Sequence, residues 1–232
     1  MERNAKLQKL NHFRRKLPYI SANGLAAVLA AVKDEGMPEV THRDAMRAAR
    51  DLQNKSTGPY GPILQHVTVI SKEGGEVHIP IAHPFALLHK CMLSSEGMQN
   101  FITKVVLQKP SSPEQPWRLL LYSDEVTPGN VMASISRHKF QAVYFSFVEF
   151  GSAALSHEEA WWCVMVEMSS VVNGVSAGMS QVFAALLKVF FDSSGFDISR
   201  SGILLPVKGG KSIRLFAKLG AFLQDGAAYK QT

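Results

Sequence analysis

Asp124 and Asp225 each close a run of strand-forming apolar residues, Asp124 after Trp117–Ser123 and Asp225 after Ala217–Leu223. Carboxylates delivered to one place by strand ends are the donors that hard Mg²⁺ or Mn²⁺ prefers. Two-metal phosphodiester chemistry uses such carboxylates to hold ions about 3.5–4 Å apart. Two carboxylates at ~4 Å repel by roughly 4 kcal/mol at an effective dielectric of 20, a penalty that a divalent cation removes. Asp124 and Asp225 are therefore candidate catalytic and metal-ligating residues. A lone Asp at a strand end also serves as a turn-former or cap, and the residues alone leave both readings open. Glu125 and Glu149 are further candidate ligands, with Glu125 ranked lower because strand alternation points it opposite Asp124.

Phosphate-binding chemistry is the second candidate. The chain carries 25 Lys and Arg against 19 Asp and Glu, a formal net charge of +6. The excess is concentrated: residues 1–16 hold Arg3, Lys6, Lys9, Arg14, Arg15 and Lys16 against Glu2 alone. A second stretch holds Arg200, Lys208, Lys211, Arg214 and Lys218 with no acid between Ser199 and Gln224. Basic patches neutralise phosphates without reading sequence, so Arg14, Arg15, Lys16, Lys208, Lys211 and Arg214 are candidate nucleic-acid contacts. A basic patch is also an ordinary solvated face.

Other chemistries find less support. His66, His78, His83 and His89 have neither compact spacing nor an acidic companion, and read as scattered histidines rather than a metal site. Two cysteines, Cys91 and Cys163, are too few for a disulfide framework or a thiolate zinc site. Gly209-Gly210-Lys211-Ser212 lacks the upstream glycine of a P-loop, and no Ser/His/Asp or dinucleotide motif stands out. No small-molecule cofactor is implied.

The elements that must position these residues follow from periodicity. Hydrophobic residues make up 46% of 232, enough for a sizeable core, and no apolar run approaches the roughly 18–20 residues of a membrane span. Arg14-Arg15-Lys16 before the apolar run Gly24–Val32 superficially resembles a signal peptide, but no small-residue cleavage site follows. Composition thus points to a soluble, intracellular chain. Gly24–Val32 has Leu25, Val28, Leu29 and Val32 on one helical face, stopped by Gly36 and Pro38, and a second helix is expected from Thr41 to about Gln53. Such a pair can read DNA or simply pack. Residues 1–57 therefore form a basic helical region. Within 58–108, Ile63–Ile70 and Val77–Ala82 read as a β-hairpin followed by helical pieces at Phe85–Met92 and Met98–Leu107. Three prolines in residues 109–116 mark a linker and a domain boundary.

Residues 117–232 then give strands at Trp117–Ser123, Phe140–Phe150 and Trp161–Met168, with a capping box at Ser156-His157-Glu158-Glu159. The amphipathic helix Met179–Phe191 follows, then Ile203–Val207 and Ser212–Leu215 around a tight Lys-Gly-Gly-Lys turn, and a last strand at Ala217–Leu223. The fold class is α+β, or mixed α/β. Three strands, a helical crossover and a further strand are the opening half of a ribonuclease-H-like sheet, incomplete here and preceded by the helical region and the hairpin. Its first and last strands pair in parallel, which would set Asp124 and Asp225 side by side.

The motifs Leu-Leu-Leu-Tyr-Ser-Asp-Glu-Val-Thr-Pro-Gly-Asn (119–130), Lys139–Gly151, Gly178-Met-Ser-Gln-Val-Phe and Leu-Gln-Asp-Gly-Ala-Ala-Tyr-Lys (223–230) resemble a multi-copy, uncharacterised protein family of dinoflagellate genomes. That family looks transposon-derived, and the resemblance covers roughly residues 58–232. It implies no established activity. Relatives continue past the last motif into a Cys-containing stretch, so the resemblance makes this chain look truncated. The expectation is a transposase-derived, ribonuclease-H-like protein related to Mg²⁺- or Mn²⁺-dependent DNA phosphodiester chemistry, inactive for want of a third acid and nuclear in location. The alternatives are a non-catalytic nucleic-acid-binding or interaction module, and an inert fragment.

Overall fold

A computed structural model describes residues 22–36, 57–127, 139–192 and 196–224. The chain divides into two compact units, Met1–Leu52 and Gln53–Thr232. In the first, helix α1 spans Ala22–Glu35 and stops where Gly36 takes φ 85° and returns its N–H to the Val32 carbonyl at 3.0 Å. Gly36 thus ends the helix that the sequence places there. The second expected helix, Thr41 to Gln53, lies outside the described residues.

In the second unit a small hairpin, β1 (Thr57–Gly58) with β2 (Gly61–Pro62), precedes a larger one, β3 (Leu64–Ile70) with β4 (Glu76–Ala82). Helices α2 (Pro84–Ser94) and α3 (Glu96–Gln108) follow. His83 caps α2, its Nδ1 accepting from the Ala86 N–H, and Ser95 caps α3 through the Met98 N–H. Strands β5 (Trp117–Val126), β6 (Phe140–Phe147) and β7 (Trp162–Met168) form an antiparallel meander. Short α4 (Ser152–Leu155) lies in the connection between β6 and β7. After α5 (Ser169–Gly174) and α6 (Gly178–Phe190) come the hairpin β8 (Ile203–Val207) with β9 (Lys211–Leu215), and then β10 (Ala217–Gln224). The six-stranded order is β10-β5-β6-β7-β4-β3, with β10 parallel to β5 and every other neighbour antiparallel. The protein is mixed α+β with a mixed sheet, as its sequence indicates.

The hairpin β3–β4 joins the meander through Ile81 opposite Met165, so elements on both sides of residues 109–116 share one sheet. The Pro-rich stretch runs within a unit and is pinned there. The Trp117 indole donates to the Lys109 carbonyl at 2.8 Å, and Ser111 Oγ donates to the Phe216 carbonyl while accepting its N–H.

The core lies on the sheet face that carries Leu119, Leu121, Phe145, Phe147 and Ile81, under Phe85, Leu88 and Met92 of α2, Ile102 of α3, and Val182, Leu186 and Phe190 of α6. Phe145 stacks on Trp162 and meets Phe190 edge-on, contacts that add to simple area burial. The sheet curls around α6, whose Phe183 packs on Phe222 of β10 and whose Gln181 reaches Ile70 of β3.

Two expected details are corrected. The strand expected through Phe150 ends at Phe147, because Val148–Phe150 winds into a 3₁₀ turn that buries Phe150 against Trp117 and Trp162. The capping box at Ser156 does not form: Ser156 Oγ donates to the Ala153 carbonyl instead, and Glu158–Ala160 makes a 3₁₀ turn without a side-chain cap.

Candidate nucleic-acid interface

Asp124 stands near the end of β5, opposite Ala142 of β6. Beside β5, β10 runs parallel with Gln224 registered to Ser123, so the sheet brings the last strand to the level of Asp124. Asp225 lies outside the described residues. Strand alternation gives Asp124 the same face as Tyr122 and Tyr144, whose rings stack at 6.0 Å. Burial pushes the Tyr144 phenol above its usual range, with smaller contributions from Cys163 and the Asp124 charge.

The spare acids are occupied. Glu125, on the opposite face, accepts from Lys139 at 2.9 Å, Ser169 at 2.8 Å and Gln141 at 3.3 Å. Lys139 above all, with help from Ser169 and Gln141, holds its carboxyl below the usual range despite partial burial. Glu149 accepts from the backbone N–H of Arg118 at 2.8 Å and from its guanidinium at 3.0 Å. Among the described residues no group of three or more His, Cys, Asp or Glu is arranged to hold a metal ion. Among the described residues, the Asp124 face at the β5 end offers one carboxylate beside two phenols. Mg²⁺ and Mn²⁺ prefer several oxygens of carboxylate type, and the expected second carboxylate, Asp225, is not among those residues. Three of the histidines have partners of their own: His78 Nδ1 bonds Thr68 Oγ1, His83 caps α2, and His89 packs on Tyr60.

The basic residues converge better. The Lys208-Gly209-Gly210-Lys211 turn requires both glycines at positive φ, 77° and 70°, which returns the chain so that Lys208 and Lys211 flank its two ends. Val207 and Lys211 are cross-strand partners. Opposite them, Asn100, Thr103, Lys104, Leu107 and Gln108 recur at helical spacing along α3. Between hairpin and helix lies a groove of about 540 Å³ on which Lys104, Lys208 and Lys211 converge. Lys208 is ion-paired with Glu96, whose carboxyl is held below its usual range by that contact. Lys104 and Lys211 carry no ion pair among the described residues.

Arg214 stays apart, cross-strand from exposed Leu204 and donating to the Ser201 carbonyl at 2.6 Å. Arg14, Arg15 and Lys16 lie outside the described residues. Lys104 is the groove residue that sequence reasoning misses; its signal is the polar face of α3, visible only once that helix is placed beside the hairpin. No family model matches the chain, and no curated protein and no solved structure matches it either. No helix among the described residues is long and apolar enough to cross a membrane.

Proposed function

We propose that the chain is a DNA-binding protein of transposase ancestry, built on a ribonuclease-H-like half-sheet, that holds duplex phosphates in the groove between α3 and the β8–β9 hairpin. The convergence of Lys104, Lys208 and Lys211 on one groove carries this reading. Lys104 and Lys211, neither ion-paired among the described residues, set two ammonium groups along a concave surface that matches the backbone of a polyanion, Lys208 stands beside them on Glu96, and the amide of Gln108 adds a phosphate donor. The strand order supports the ancestry: an antiparallel meander β7-β6-β5 extended by a parallel β10, reached through helix α6, is the opening half of such a sheet. Metal-dependent phosphodiester chemistry receives less support, since Glu125 and Glu149 are committed to Lys139 and Arg118.

Salt dependence tests the reading directly. Each phosphate neutralised on duplex DNA contributes about 0.9 to the slope of log K against log salt. The double variant Lys104→Gln/Lys211→Gln should weaken binding to a duplex of arbitrary sequence and flatten that slope by about 2. Arg214→Gln, away from the groove, should leave the slope unchanged. A double variant that binds with the parent slope would show that the groove takes no phosphate.

A further inference from the structure

Every residue that lines the groove between α3 and the β8–β9 hairpin is neutral or basic. An acid reaches it from one end. Glu96 opens α3, and Asn100, Thr103, Lys104 and Leu107 follow it at i+4, i+7, i+8 and i+11, so it heads the helix face that lines the groove. Its Cα stands about 12 Å along the helix axis from that of Lys104, at 1.5 Å per residue. There Glu96 Oε1 accepts from Lys208 Nζ, at the start of the Gly-Gly turn. Lys208, through that hydrogen bond and its charge, holds the Glu96 carboxyl below its usual range, and the Asn100 side chain adds a smaller contribution. One carboxylate thus engages two side chains of the groove that could otherwise donate to phosphate.

Neither capping nor packing accounts for this contact. The α3 cap is Ser95, whose Oγ accepts from the Met98 N–H at 3.2 Å. The side chains of Glu96 and Lys208 are 70% and 57% exposed, so the pair lies outside the core and is screened by solvent. Its consequence falls on the groove. An ammonium already compensated by a carboxylate releases little counterion when it meets a phosphate, and a phosphate that takes it leaves the carboxylate unpaired beside another anion.

We propose that Glu96 is the affinity-limiting residue of this groove, an internal stand-in for phosphate that withholds Lys208 and Asn100 from a bound duplex. This rests on the DNA-binding reading above. The parent groove then neutralises phosphates through Lys104 and Lys211, and Lys208 becomes a further contact only when position 96 is neutral. The carboxylate thereby holds down an affinity that every duplex would share, since phosphate contacts do not distinguish sequences. The competing account is that Glu96 serves the α3 dipole as a first-turn acid and meets Lys208 without effect on the groove.

Binding of the full chain to a duplex of arbitrary sequence, measured from about 50 to about 200 mM salt, separates the two accounts. Glu96→Gln keeps the side-chain length at an exposed position outside the core. It should tighten binding and steepen the slope of log K against log salt by about 0.9, so that its advantage over the parent shrinks about 3.5-fold across that range. Glu96→Ala should steepen the slope equally, which excludes an effect of the new amide. Adding Lys208→Gln to either variant should return the slope to the parent value, because the extra contact is Lys208 itself. If Glu96→Gln keeps the parent slope while Lys104→Gln/Lys211→Gln still flattens it by about 2, the limiting role is overturned and the groove remains a phosphate site. A steeper slope that survives Lys208→Gln also overturns it, since Glu96 would then act as a diffuse charge. If Lys104→Gln/Lys211→Gln leaves the slope unchanged as well, the groove reading itself fails and the role of Glu96 falls with it.

Discussion

Glu125 shows how one side chain ties a strand end to the helical layer. Its carboxylate collects Lys139, Ser169 and Gln141, so β5, β6 and the start of α5 meet on one charge. Because its folded pKa lies below the unfolded value, the resulting stability is present above the ordinary Glu range and disappears as pH falls through the depressed folded value. The melting-temperature difference between the parent and Glu125→Gln should therefore be constant above about pH 5.5 and shrink toward acid pH. A difference that grew on acidification would contradict the assignment. The Glu125 side chain is 36% exposed, so the effect is small and screened by salt. Asp124 is the contrasting case. Its position at a strand end is legible in the sequence, whereas its company of Tyr122 and Tyr144 depends on the β5–β6 register, which no local signal specifies. Lys104 stayed hidden for the same reason: one lysine on an amphipathic helix signals a polar face, and only the hairpin opposite makes it part of a groove.

At the scale of elements, β10 rests on one glycine. Gly220 occupies the irregularity between Leu219 and Ala221, where β10 slips by one residue against β5. A Cβ there would stand 2.8 Å from Arg118 Cβ and 3.0 Å from the Leu119 carbonyl oxygen, both fixed by β5 backbone. Gly220→Ala should push the strands apart and cost about 1–3 kcal/mol, the usual range for overpacking. Chemical denaturation measures the loss; a neutral substitution would mean that β10 is free to shift. Most strands and helices of this unit were readable from periodicity, because apolar alternation and the 3.6-residue pattern are local. The bulge was not, since a glycine inside an apolar strand has several meanings until its neighbour is known. Val148–Phe150 misled for a tertiary reason: its residues favour strand, but the aromatic cluster of Trp117, Phe147 and Trp162 draws Phe150 inward and winds the backbone.

Across the whole molecule, charge is distributed differently from fold. Residues 1–52 hold ten Lys and Arg against six Asp and Glu, while residues 53–232 hold fifteen against thirteen. The first unit thus carries +4 of the +6, and the second, which contains the entire sheet, carries only +2. The groove at α3 is a local concentration on a nearly balanced surface, so on the proposed DNA-binding reading its contribution should be separable from that of the basic residues 1–16. Removing residues 1–52 should lower duplex affinity and flatten the salt slope, because Arg14, Arg15, Lys16 and their neighbours leave with it. Within the shortened chain, Lys104→Gln/Lys211→Gln should still flatten the slope by about 2, the same increment as in the full chain. Distant, independent phosphate contacts add in this way, whereas contacts that require one another do not. If the double substitution has no effect once residues 1–52 are gone, the contribution of the groove depends on those residues and the two are not independent.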